Sequence, residues 1–511
     1  MQGGTAARFA PVRWAKVIDH TRCIGCHACS TACKSENEVP LSVHRTYVKS
    51  VDVGVFPHAR RAYQVTRCNQ CADAPCVTAC PTAAMYQRGD GIVDFDKRVC
   101  IGCKACIAAC PYDAIFINPE DRSAEKCNFC AHRIDMGLEP ACVVVCPTES
   151  ILVGDLNDPG SKVARIVGRE AVAVRRPEKD TRPKLFYKGA HQATLDPLAA
   201  RRPEGGLFMW SEQGRLPGQV TSGAPSGFST SSAAALLSYD VPHRSPWDWR
   251  VSLYTWTKGI AAGAYLVPLA LVLLGLASPE SRLWLWVAPI LGGAFLAATG
   301  GLLLGDLEHP ERFHLIFTRL QWRSWLAKGA LVISGYGAVL ALHFAGSVLG
   351  ARGAQALLMA PGLPLGVLTA VYTAYLFAQA KGRDLWQSPL LPPHFLVQAV
   401  LAGGAALLPF AASSENELVP PLLWTVSGAS LLHLGFLWGE TTLTHTTAHA
   451  RLAVAEMTGG AYRWFFRTGV AGALAGILAP LVGLPAVPAV LLGLVAYEHA
   501  HVQAAQAVPI A

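Results

Sequence analysis

The sequence predicts two unlike modules in one chain: a small α+β domain, then an all-α domain of eight membrane-spanning helices. Three observations predict it. All 16 cysteines lie between Cys23 and Cys146, in four groups of four. Charged residues are only 15% of the 511, well under the usual quarter. The deficit sits in the second half, where residues 253–511 hold 12 of the 43 Lys and Arg and 10 of the 35 Asp and Glu. That half is also where long apolar runs replace short alternating ones.

The cysteines carry the first module. Cys23-Cys26-Cys29-Cys33 and Cys100-Cys103-Cys106-Cys110 read C-x2-C-x2-C-x3-C, and Cys68-Cys71-Cys76-Cys80 reads C-x2-C-x4-C-x3-C. The fourth group, Cys127-Cys130-Cys142-Cys146, opens an insertion before its last pair. Three thiolates on one tight loop hold three corners of a cubane [4Fe-4S] cluster, and the fourth cysteine reaches across to the other cluster of a pair. By that ferredoxin logic the first group pairs with the fourth and the second with the third. The four ligand sets are then Cys23, Cys26, Cys29 and Cys146; Cys127, Cys130, Cys142 and Cys33; Cys68, Cys71, Cys76 and Cys110; and Cys100, Cys103, Cys106 and Cys80.

Other uses of cysteine fit less well. Disulfide frameworks belong to small secreted domains, and zinc sites rarely repeat a C-x2-C-x2-C run. Cys23-Ile24-Gly25-Cys26-His27 matches the c-type haem attachment motif, but both its cysteines are already used and Cys29 and Cys33 would be left idle. The net charge of +8 comes with no basic stripe or aromatic nucleic-acid motif, so nucleic acid is not a partner.

In chain order, residues 1–190 form the iron–sulfur domain. Met1 to Ala15 has no apolar h-region or twin-arginine pair and does not read as a signal peptide. Trp14-Ala15-Lys16-Val17-Ile18-Asp19 reads as a strand, as do Gly91 to Asp96 and Ala114 to Ile117. A short helix is expected after each group's last cysteine. Ile151 to Gly189 is a cap, with extended backbone at Thr181-Arg182-Pro183-Lys184-Leu185-Phe186-Tyr187. Residues 191–250 are rich in Pro, Gly and Ser, as in Ser222 to Gly227, and read as a linker without regular structure. Phe208-Met209-Trp210 and Pro246-Trp247-Asp248-Trp249 suggest that it packs along something.

Residues 251–511 form the membrane domain, since about 20 apolar residues cross the hydrocarbon core. The eight runs are Tyr254–Ala277, Leu283–Leu304, Trp325–Leu349, Leu357–Ala380, Phe395–Ala412, Leu418–Gly439, Phe465–Val482 and Pro485–Ala504. An even number returns the chain to its starting side. The loops on that side hold ten of the twelve Lys and Arg, leaving Arg282 and Arg352 opposite. The positive-inside rule therefore puts the iron–sulfur face in the cytoplasm, with the domain in the inner membrane.

Ionisable residues at a span's end are functional candidates. Asp306, Glu308, His309 and His314 follow the second run and suit a relay for the protons that accompany quinone chemistry. A salt-bridged cap is the plainer use of the same residues. Tyr254, Lys258 and Arg312 are candidates for the quinone pocket, Tyr254 equally for an interface anchor. Glu440 stands with His445 and His449, read as i and i+4 on one helix face. His343 and His433 lie inside spans, and a lone histidine on an apolar face usually just hydrogen-bonds, so no haem is expected.

The cysteine block, with Gly154-Asp155-Leu156-Asn157-Asp158-Pro159 and Thr181-Arg182-Pro183-Lys184-Leu185-Phe186-Tyr187, resembles the four-cluster electron-transfer subunit of molybdopterin oxidoreductases of the DMSO reductase and polysulfide reductase kind. The second half, through Asp306-Leu307-Glu308-His309-Pro310-Glu311-Arg312-Phe313 and Trp322-Arg323-Ser324-Trp325-Leu326, resembles the NrfD polysulfide reductase membrane anchor. The chain departs from that pattern by fusing what are usually two polypeptides. The resemblance implies four [4Fe-4S] clusters and a separate large catalytic subunit with a molybdenum or tungsten bis-pterin cofactor. Electrons would pass between that subunit and menaquinone or ubiquinone, with this chain as the oxidoreductase subunit that lacks the pterin. The same modules occur in complexes resembling alternative complex III, which implies proton translocation instead. Only Glu280, Glu415 and Glu417 lie in the far loops, which argues against a path across the membrane.

Overall fold

The computed structural model describes residues 11–201 and 235–511. The chain divides into two compact units, Met1–His243 with Pro509–Ala511, and Arg244–Val508.

In the first unit Trp14–Asp19 is a central strand. It pairs antiparallel with Ile151–Asp155 and parallel with Leu185–Lys188, whose other edge takes Val172–Ala173. The cap is therefore stitched to the first strand, and the cluster loops are strung between two neighbours in one sheet. Two short ribbons, Met85–Gln87 with Val93–Phe95 and Ile115–Ile117 with Ala124–Lys126, follow the second and third cysteine groups. Buried cysteines make up much of the core, packed with Met85, Val93, Tyr112 and Ile115.

The short helices do not follow the terminal cysteines as expected. Pro75–Ala79 and Ala105–Ala109 begin one residue before the third cysteine and stop short of the fourth, and Cys80 and Cys110 end them in extended backbone. Proline is the reason: Pro81 and Pro111 bar the preceding residue from the helical region. Cys33 is followed by Lys34, and there the helix Ala28–Glu36 runs on past it. In the two C-x2-C-x2-C loops the residue after the second cysteine, His27 or Lys104, is left-handed at φ 60°.

Phe208-Met209-Trp210 and Ser222 to Gly227 lie outside the described residues. On either side of them regular structure returns within the expected linker. Gln192–Leu195 is helical, and Ala235–Tyr239 is the third strand of a sheet with Thr46–Val53 and Arg60–Arg67. Backbone pairing thus carries the first unit to His243, beyond the boundary the composition suggested.

Among the described residues of the second unit, six helices are long and apolar enough to cross a membrane. They are Trp249–Leu273, Leu283–Asp306, Trp325–Val348, Arg352–Gln379, Leu391–Ser414 and Asn416–Thr442. The first and fifth are 78% and 61% buried, against 28–39% for the others, so these two form the centre of the bundle. They cross at Gly263 and Gly403, where a Cβ on either would run into the backbone of the other helix. Small residues are what allow such close approach between spans. The seventh and eighth apolar runs fold as Arg463–Ile477 with Ala479–Val482, and as Ala486–Ala507. Pro480 starts a new turn in the one, and Glu498, His499 and His501 lower the apolarity of the other.

Candidate metal centres and a buried polar chain

None of the sixteen cysteines forms a disulfide, and all but Cys23, Cys26 and Cys146 are buried. Their electrostatic neighbours sort them into quartets. Cys23 sits beside Cys146 and Cys26, with Cys29 beside Cys23. Cys33 sits beside Cys127, Cys130 and Cys142, and Cys76 beside Cys68, Cys71 and Cys110. Cys106 sits beside Cys80, Cys100 and Cys103. The last set lines a pocket of about 370 Å³ together with Met85 and Phe95.

Contacts between sets order them in a file. Cys29 neighbours Cys142, Cys68 neighbours Cys127, and Cys106 neighbours Cys76. The file thus runs from the set containing Cys26, which is exposed, to the one containing Cys100.

The donor sets suit an anionic iron–sulfur core. Burial pushes Cys29 up to about 11 and Cys71 and Cys110 up to about 12, a cost removed when metal takes the thiolate. Backbone N–H groups of Met85, Gly102 and Ala124 donate to Cys80 and Cys100 at 3.4 Å. Ser150 N–H donates to Cys146 at 3.3 Å. Cys142 is different. Burial alone would raise its thiol, but the nearby guanidinium of Arg67 and ammonium of Lys16 hold it down to about 7.

The second unit holds a different construction. Lys258 is buried in the first span, donating to the Ala370 carbonyl at 2.7 Å and to Thr373 Oγ1 at 2.8 Å, over the rings of Tyr372 and Phe395. With Trp256, Gln398 and Glu498 it lines a small cleft. Glu498 Oε2 and Gln398 Oε1 have no partner there among the described residues. Tyr254, also buried, bonds to Thr373 and lies in the field of Asp306 and Glu498. Beyond Glu498 runs a series of proton-carrying groups. His394 Nδ1 meets Glu440 Oε1 at 2.9 Å and its Nε2 meets His433 Nδ1 at 2.7 Å. The Tyr497 hydroxyl donates to Glu440 Oε2 at 2.8 Å, and His501 lies in the field of Glu440.

The structure therefore brings together Tyr254, Lys258 and Asp306, and adds Glu440 and His433 through that series. Glu308, His309, Arg312 and His314 stand in the loop after the second span. There His309 Nδ1 meets Glu311 Oε1 at 2.9 Å, Arg312 lies 3.6 Å from the same oxygen, and His314 is exposed. His445 and His449 do not share a helix face: Thr447 caps the helix that begins at Ala448 and leaves His445 in the preceding loop. His343 packs between Trp284 and Tyr265. His394, Gln398, Tyr497, Glu498 and His501 were missed by sequence reasoning. The available signal was Tyr497-Glu498-His499-Ala500-His501, three ionisable groups inside an otherwise apolar run.

Thiol quartets in one unit and an apolar helical bundle in the other define a class: iron–sulfur membrane proteins of electron transport. A 4Fe-4S dicluster domain model matches residues 59–156, and the model of the polysulphide reductase NrfD family matches residues 239–496. The first half resembles the B component of the tetrathionate reductase of Salmonella typhimurium, 43% identical over 37% of this chain and 77% of the relative. It also resembles the B component of the polysulfide reductase of Wolinella succinogenes, 41% identical over 34% of this chain and 93% of the relative. The iron–sulfur subunit of an arsenate respiratory reductase from Shewanella is 36% identical over 34% of this chain and 96% of the relative. This protein belongs to the polysulphide reductase NrfD family, with an iron–sulfur subunit of the reductase type fused ahead of the membrane domain.

Proposed function

We propose that this chain is the electron-transfer and membrane-anchor subunit of a quinone-linked oxidoreductase whose catalytic subunit, with a molybdenum or tungsten bis-pterin, is a separate polypeptide. One observation carries this reading: a file of four thiol quartets shares a chain with an apolar bundle that holds a cleft and a run of proton-carrying groups. Each quartet holds one [4Fe-4S] cluster, with the ligand sets expected from the sequence. When bound, the clusters pass single electrons along the file.

A quinone takes two protons with two electrons, so its site needs both supplies. Lys258, with Tyr254 beside it, keeps one ammonium hydrogen for a quinone oxygen brought to the cleft, which must part to admit the ring, and Gln398 and Glu498 offer acceptors to the quinol. The bonded set His433, His394, Glu440 and Tyr497, with Glu498 in the field of His394, moves the protons. Asp306 is the outer end of this system, and Glu308, His309, His314 and Arg312 form its mouth at the membrane face.

All these groups lie in one half of the bundle. They stand near the start of the first and fifth spans and the end of the second, fourth and sixth and of Ala486–Ala507. The opposite half holds the pairs Arg352–Glu280 and Glu415 with the backbone at Arg282. That one-sidedness supports proton exchange with one face over a path across the membrane. With eight spans in the inner membrane, the basic loops and the iron–sulfur domain face the cytoplasm.

The test is metal content and protein composition of the detergent-solubilised complex. About 16 iron atoms per chain are expected from four cubanes, with molybdenum or tungsten in a large second subunit. Iron without either metal, accompanied by haem-bearing partners, would replace this reading with an energy-converting complex.

A further inference from the structure

The four quartets are not electrostatically equal. Arg67 and Lys16 are each only 2% exposed, and both point at one sulfur: Arg67 Nη1 donates to Cys142 Sγ at 2.9 Å and Lys16 Nζ lies 3.8 Å from it. The Asn37 amide adds contacts at 3.7 Å to two more thiols of the same set, Cys33 and Cys130. Arg67 Nε and Nη2 have no partner among the described residues, so two further donors stand ready at this quartet.

At Cys80, Cys100 and Cys146 the described donors are neutral. Backbone N–H groups point at Cys80 and Cys100, and Cys146 meets Ser150 and Thr148. Lys126 and Lys184 lie in the field of Cys68 and keep their charge, but their ammonium groups donate to backbone carbonyls, whereas Arg67 donates directly to a sulfur.

Adding an electron to a cluster adds a negative charge. Buried cations and hydrogen bonds to the sulfurs stabilise that reduced form and raise the reduction potential. We infer that the cluster held by Cys33, Cys127, Cys130 and Cys142, second in the file from the exposed end, has the highest reduction potential of the four and is where the relay holds its first electron. This rests on the assignment of one cluster to each quartet. The step is one electron in from one neighbouring cluster and one out to the next, with no bond made or broken. Arg67 and Lys16 act as positioning residues, through charge on the thiolates.

The experiment is a potentiometric titration of the purified complex, followed by electron paramagnetic resonance. Cys130→Ser in a parallel sample marks the signal that belongs to this quartet. In the unaltered protein that signal is expected to be the first reduced. In Arg67→Gln, at the potential that half-reduces it in the unaltered protein, it should fall to about a tenth of its amplitude, because a charged hydrogen bond is lost. Arg67→Lys should restore most of it. Asn37→Ala, at a partly exposed site, should move the same signal in the same direction by less. If the marked signal is reduced after another, or is unmoved by Arg67→Gln and Asn37→Ala with iron unchanged, the proposal is overturned while the cluster assignment stands. Iron well short of four clusters in the unaltered protein would overturn both.

Discussion

Both units bury charge, and they neutralise it in opposite ways. In the first, Lys16, Arg67 and Lys126 are almost fully enclosed among thiols and carbonyls, because four thiolates around an iron–sulfur core leave net negative charge to be balanced. In the second, buried Lys258, His394, Glu440 and Glu498 stand opposite partners that can give or take a proton. Fixed cations suit a unit that moves electrons, since they set potentials without changing state. Exchangeable partners suit the proton exchange proposed for the other. The comparison teaches that the kind of counter-charge, rather than the amount of buried charge, separates the two tasks.

The sharpest way to break the comparison is to remove a ligand. Cys110→Ala should drop iron from about 16 to about 12 atoms per chain and stop electron flow to quinone, measured by iron-to-protein ratio and quinone reduction. On the other side, Glu440→Ala should cost about 3–5 kcal/mol, because a buried histidine and tyrosine lose their shared partner. Glu440→Gln keeps the shape. It should lower the quinone-linked rate about 10²-fold with the clusters still reduced by dithionite.

His243 sharpens the contrast within the first unit, since it is a buried cation with no thiol to serve. Burial opposes its charge, but Asp240 and Asp113, the latter 2.5 Å from Nδ1, raise it to about 9. Its folded value exceeds its unfolded one, so the stability it adds is fully present below about pH 6.5 and is lost as pH rises through about 9. The loss is about 3 kcal/mol at most, read from denaturant midpoints across that range; His243→Gln should flatten the profile. In the bundle, Gly403→Leu should cost about 1–3 kcal/mol by forcing the two central spans apart, seen as a lower thermal midpoint in detergent. The smallest effect is expected at the pair of half-buried His309 with exposed Glu311. There His309→Gln should change stability by less than about 1 kcal/mol and slow quinone turnover a few-fold, the second outcome separating a relay mouth from a mere cap.

Much of the first unit was legible because cluster ligation is local: C-x2-C-x2-C places three donors on one turn whatever the rest of the chain does. The position of the short helices was not. The Cys-Pro pairs were visible, but reading them as helix starts missed that proline restrains the residue before it, so that Cys80 and Cys110 end helices instead. The first six apolar helices were legible from apolarity alone. Ala486–Ala507 is the instructive case, because the groups that lower its apolarity are those it contributes to the buried polar series.

The sequence by itself determined the number of cysteine quartets, the division into a charged and an apolar half, and the first six spans, all of which depend on residues near one another in the chain. Only the tertiary structure decided that the two cluster pairs meet at Cys68 and Cys127, that Arg67 and Lys16 lie at Cys142, and that Glu498 lies in the field of Lys258, His394 and Glu440. Those four come from four helices, far apart in the chain. Nothing in local spacing says which faces of packed helices will meet. A buried charge must find its partner through the packing of the whole bundle.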